Sequence, residues 1–174
     1  MQAFIRYIGV LNAAVWFGAV VFFTLAGGPA FFSDEMLGFL PRPYAGRAAE
    51  VVIGRLFVLQ QWCAVIALLH LLVEHLYFGR RGEARRAVLL GGLLIVNLLG
   101  GGWLLPRMHE LERIRYSPAS TAAEAAAAAS RFGLWHGFSQ VINLLVIVSL
   151  AYYLWKLARP VTAPRLGGYD RFRG

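Results

Sequence analysis

The chain has 174 residues, 59% of them hydrophobic, and a formal net charge of +8. Its mean hydropathy of +0.59 is too apolar for an ordinary soluble domain, and its length suits a single unit. The basic residues flank apolar runs instead of forming a patch on a polar surface, which speaks against nucleic acid as a partner and makes the lipid bilayer the expected surroundings.

Four runs carry no charge: 7–33, 56–73, 87–106 and 132–155. A spanning helix needs roughly 20 mostly apolar residues, so the pattern predicts an all-α integral membrane four-helix bundle over 1–159, followed by a basic tail over 160–174. The first helix is predicted over 3–26. Its run is longer than the apolar core of a removable signal peptide, and Gly27-Gly28-Pro29 offers no small-x-small cleavage site. Ala14 and Gly18 make a small-xxx-small step, and Gly27-Gly28-Pro29 is expected to loosen or end the helix.

Pro41 and Pro43 suit the start of the second helix, predicted over 44–78. Its one cysteine, Cys63, has no partner for an intramolecular disulfide. A tight basic turn is expected from Gly79 to Arg86. The third helix, predicted over 87–115, holds Gly91-Gly92 and Gly100-Gly101-Gly102, which suit close contacts between membrane helices. Its charged end, with His109 and Glu110, is expected to be solvated. Pro118 stops it. Thr121 with Glu124 fits a capping box ahead of the alanine-rich run 122–129, and the fourth helix is predicted over 121–157. At about 55 Å, roughly a third of it extends beyond the hydrocarbon.

Four spans place both termini on one side. That side carries Arg6, Arg80, Arg81, Arg85, Arg86, Lys156, Arg159, Arg165, Arg171 and Arg173 against Glu83 and Asp170; the other carries seven arginines against six acids. The excess of cations predicts a protein of the cytoplasmic (inner) membrane with both termini and the tail cytoplasmic, and with the helix extensions outside.

Polar residues inside the runs are the candidate functional positions. His136, Ser139, Gln140 and Asn143 recur at i, i+3, i+4 and i+7, so they form one stripe on the fourth helix. Measured from the centre of each run, Asn97 and Asn143 share the midplane, while Gln60, Gln61 and Gln140 lie about 5–6 Å toward the outside. Two readings stay open for these seven residues: hydrogen bonds between helices, or a small polar cavity opening outward. His70 and Glu74 sit at i and i+4, so the carboxylate could orient the imidazole as in a metal or haem site. The commoner outcome is a packed His70 and a Glu74 ion-paired with Arg80. His70 and His136 differ in depth by about 19 Å, too far to share one metal. No nucleophile with an evident base, CxxC, HExxH or phosphate-binding loop is present.

The stretches 16–23, 28–32, 55–57 and, above all, the spacing Phe132-x-x-x-His136-x-x-Ser139-x-x-x-Asn143 resemble the bacterial domain of unknown function related to eukaryotic transmembrane protein 205. That resemblance implies four membrane helices without an assigned activity. A remoter likeness, in the W-x-G-rich first helix, is to four-helix membrane proteins of the CopD and HemJ types. It implies haem b or copper as a cofactor, with His70, Glu74 or His136 as candidate ligands, although the first and third runs hold no histidine to complete an axial pair. The leading expectation is therefore a non-enzymatic accessory or interaction subunit that packs against other membrane subunits or a second copy. The alternatives are a haem- or copper-binding redox protein and a small-solute or ion pathway through the cavity.

Overall fold

The computed structural model describes residues 2–78 and 84–159. The basic tail 160–174 and most of the Gly79 to Arg86 turn lie outside them, while Ala84 to Arg86 already belong to a helix. The described elements are α1 (Gln2–Phe22), α2 (Gly28–Ala30), α3 (Asp34–Phe39), α4 (Arg42–Phe78), α5 (Ala84–Leu99), α6 (Leu105–Tyr116) and α7 (Ala122–Ala158). A π turn over Phe23–Gly27 joins α1 to α2, and a second over Gly100–Leu104 joins α5 to α6. The result is four continuous rods, Ala3–Ala30, Arg42–Tyr77, Ala84–Tyr116 and Ala122–Ala158, each long and apolar enough to cross a bilayer. The chain is an all-α four-helix membrane bundle.

The first rod does not end at the glycines, and the reason is the proline. Pro29 has no N–H and its ring crowds the carbonyl four residues back. Widening the preceding turn to i→i+5 relieves the crowding: Gly28 N–H reaches the Phe23 carbonyl. The third rod repeats the device. Leu105 N–H reaches the Gly100 carbonyl, and Pro106 follows at the same offset. Elsewhere the ends are conventional. Ser33 caps α3 through the Met36 amide at 3.3 Å. Thr121 and Glu124 cap α7 reciprocally, with Thr121 N donating to Glu124 Oε2 at 2.8 Å and Glu124 N to Thr121 Oγ1 at 3.3 Å. Arg6 closes the far end of α7 by donating to the carbonyls of Leu157, Ala158 and Arg159, where a cation also meets the negative end of the helix dipole.

The rods form a ring in which α1 touches α4 and α7, α4 touches α5 and α6, and α6 touches α7. Buried positions recur at alternating steps of three and four: Gly9, Ala13, Trp16 and Val20 on α1, Gln60, Ala64, Ala67, Leu71 and Glu74 on α4, and Val146, Leu150, Tyr153 and Leu157 on α7. That seam suits rods crossing at a small angle. Nearly all of this core lies in the half of the bundle that holds the termini. On α7 the next buried residue beyond Val146 is Ala128, 18 residues away, or about 27 Å. Over that length α6 still packs against α7, and the four rods enclose a space.

Candidate functional site

The space is a cavity of about 430 Å³ lined by all four rods. Both π turns border it, through Phe23 and Thr24 on one side and Gly100 and Leu104 on the other. Each π turn adds a residue to its helix and moves the segment beyond it off the path of a straight rod. Phe23, Phe32, Ile53, Leu56, Phe57, Leu105, Met108, Phe132 and Val146 make its walls apolar. Polar groups are few and grouped by depth.

At the floor, Trp16, Gln60 and Asn97 form a buried set that is 0%, 6% and 2% exposed. Trp16 Nε1 donates to Gln60 Oε1 at 3.2 Å, and Asn97 Nδ2 donates to the same oxygen at 3.4 Å. Beside them Asn143 Nδ2 donates to Thr24 Oγ1 at 2.8 Å, while Thr24 donates onward to the Val20 carbonyl at 2.7 Å. Higher on α7, Gln140 Nε2 lies 3.4 Å from His136 Nε2, Ser139 Oγ donates to the His136 carbonyl at 2.7 Å, and the His136 ring stacks on Phe132. His136 and Gln140 are exposed although they border the cavity, so the space is open along this side.

At the rim, Glu50 Oε2 lies 2.6 Å from Arg47 Nη1 and 2.9 Å from His109 Nδ1. Arg47 Nη1 is also 3.0 Å from His109 Nδ1, but the ring nitrogen can either donate to the carboxylate or accept from the guanidinium, not both. Glu112 lays its carboxylate on the backbone of Gly46, where a Cβ would come within 3.0 Å of Oε2. A methyl group there would require the carboxylate to give by a few tenths of an ångström.

Of the residues singled out in the sequence, Gln60, Asn97, His136, Ser139, Gln140 and Asn143 line this one space. Gln61 does not. The seam on α4 runs through Gln60 and Ala64, and one residue further turns the side chain by about 100° away from it. Asn143 pairs with Thr24 and not with Asn97, its neighbour in depth. Thr24, Glu50, His109 and Glu112 also border the cavity and escaped the sequence reading. The first hid in the apolar run before the glycines; the others lie in charged extensions where solvation is the ordinary expectation. His109 is half-buried against Glu50 instead.

Of the candidate metal or haem ligands, His136 borders the cavity and is not brought together with His70 and Glu74. His70 is buried at the opposite end of the bundle, its Nε2 2.9 Å from the Ile5 carbonyl and its ring packed on Gly9. Glu74 is buried there too and pairs with Arg86 at 3.1 Å; Arg80, its expected partner, lies outside the described residues. Among the described residues no three His, Cys, Asp or Glu side chains gather as a metal site would require.

Fold and site together define a multi-pass helical membrane protein with an apolar-walled, polar-floored cavity at one end of its bundle. The chain belongs to the family of the domain of unknown function DUF4149, which matches residues 11–117. The match takes in the first rod from residue 11 and the whole of the second and third rods. No curated protein and no solved structure matches the chain.

Proposed function

We propose that this is a non-enzymatic binding component of the cytoplasmic membrane, with both termini inside, whose cavity opens to the extracytoplasmic side and receives a small solute. The observation that carries the reading is the cavity itself. At about 430 Å³, with apolar walls and a few convergent polar groups, it has the size and lining usual for a small-molecule site. Its exposed His136 and Gln140 lie on an otherwise uncharged spanning run, where polar side chains are expected to face a cavity and not lipid. A second role, as a subunit packed on other membrane proteins or on its own copy, is favoured by Gly18, at which an added Cβ would meet nothing within 4 Å. The small-residue step with Ala14 is therefore free for another chain. The spacing Phe132 to Asn143 supports kinship with eukaryotic transmembrane protein 205. A haem or copper role has the least support, because His70 is held by a backbone carbonyl.

Thiol labelling tests the cavity and its direction together, because the only cysteine, Cys63, is buried in the packed half and makes a silent background. A membrane-impermeant maleimide added to intact cells is expected to label Gln140→Cys, and to label Lys156→Cys only after the membrane is opened. Labelling of Lys156→Cys in intact cells would reverse the topology, and a Gln140→Cys that reacts from neither side would remove the open cavity. In the same assay Gly100→Ala should slow the labelling of Gln140→Cys severalfold. Its Cβ would come within 2.6 Å of the Phe57 ring, and that ring has the cavity to swing into. Because the ring can yield, the stability cost should stay near 1 kcal/mol, at the low end for overpacking.

A further inference from the structure

The two amides at the cavity floor are joined by one hydrogen bond and each keeps an atom to spare. Gln60 Oε1 takes both the Trp16 indole N–H and the Asn97 amide N–H. That fixes the orientations: the indole can only donate, so Gln60 presents oxygen to it, and Asn97 turned over would set oxygen against oxygen. Gln60 Nε2 and Asn97 Oδ1 then have no hydrogen-bond partner among the described residues. Both side chains are more than nine-tenths buried and both border the cavity. A buried donor and a buried acceptor left unmatched are costly, so they select what binds beside them.

We infer that the floor of the cavity binds the hydroxyl group of an otherwise apolar, ring-bearing molecule. One hydroxyl accepts from Gln60 Nε2 and donates to Asn97 Oδ1, which gives each of the two unpartnered atoms a hydrogen bond through a single oxygen. A carbonyl would serve only the first, and an ammonium only the second. Above the floor, Phe23, Phe57, Phe32 and Phe132 offer aromatic walls on which a flat apolar body packs. This rests on the reading of the cavity as a solute site and adds the chemistry of the solute.

The test compares two probes of nearly equal shape, 1-naphthol and 1-methylnaphthalene, by equilibrium dialysis against the full chain in lipid nanodiscs, with empty nanodiscs subtracted for partition into lipid. Protein-dependent binding of 1-naphthol is expected to be about tenfold tighter, the scale of one well-made hydrogen-bonded group. Asn97→Leu should abolish that preference and still bind 1-methylnaphthalene. Gln60→Leu repeats the test from the other amide. The comparison of probes on the parent protein stands even if a variant fails to fold. Equal binding of the two probes overturns the hydroxyl inference and leaves the solute site in place. Binding of neither overturns both.

Discussion

Alanine in place of Trp16 is expected to destabilise the bundle by about 3–5 kcal/mol, the range for removing a large buried aromatic ring. Trp16 is wholly buried and heads the set of largest fully enclosed side chains. It sits where the packed half of the bundle meets the cavity floor, so truncation leaves a void among Ala13, Val20 and their neighbours that joins the existing space. The indole N–H also holds Gln60, and its loss frees one more lone pair on a buried amide. Trp16→Phe separates the two contributions, since it keeps most of the ring and drops only the donor; about a third of the full loss is expected. Thermal or detergent-driven unfolding of the purified protein reads both variants. A Trp16→Ala chain as stable as the parent would contradict the packing described for this level of the bundle.

The second large effect belongs to a glycine. Gly9→Ala should cost about 2–3 kcal/mol, at the upper end for overpacking. The new methyl would come within 2.6 Å of His70 Cε1 and Nε2 and within 3.1 Å of Nδ1. Gly100→Ala makes an equally short contact with Phe57, yet the two cases differ in where the ring can go. Phe57 borders open space, whereas His70 is enclosed and tied through Nε2 to the Ile5 carbonyl of the very helix that carries Gly9. Moving the imidazole therefore breaks that hydrogen bond. A double-mutant cycle with His70→Ala checks this: the pair should be destabilised by clearly less than the two single losses added together. Additive losses would mean that Gly9 acts through backbone propensity and not through the ring.

The four spans were legible in the sequence because the bilayer imposes a length and forbids charge over it, and those two constraints leave long uncharged runs bounded by Arg, Asp, Glu and Lys. The polar stripe from His136 to Asn143 was legible for a similar reason: a helix in lipid has few places to put four polar side chains, and helical spacing shows that they share a face. Finer choices depended on phase. Gln60 and Gln61 are chemically the same and adjacent, and only the seam through Ala64, Ala67 and Leu71 decides which one turns inward. Thr24 was hidden because a hydroxyl can satisfy itself on its own helix, as its bond to the Val20 carbonyl illustrates. The pairing of His109 with Glu50 joins residues 59 apart in sequence, a relation that local pattern does not carry.

The proline-led π turns were the least legible feature, and they alter how the outer half of the bundle must be counted. On the third rod the inward series Leu90, Leu93 and Asn97, continued at three and four, would arrive at position 111. The residue that borders the cavity is Glu112. One extra residue in the turn Gly100–Leu104 has advanced the phase by about 100° and exchanged a leucine for a carboxylate at the rim. The first rod carries the same insertion before Pro29. Two helices of the ring thus work as pairs of screws with the same thread and different starting angles, joined at the level of the cavity floor. The character of the rim, charged where a uniform helix would be apolar, is set by that offset as much as by the residues themselves.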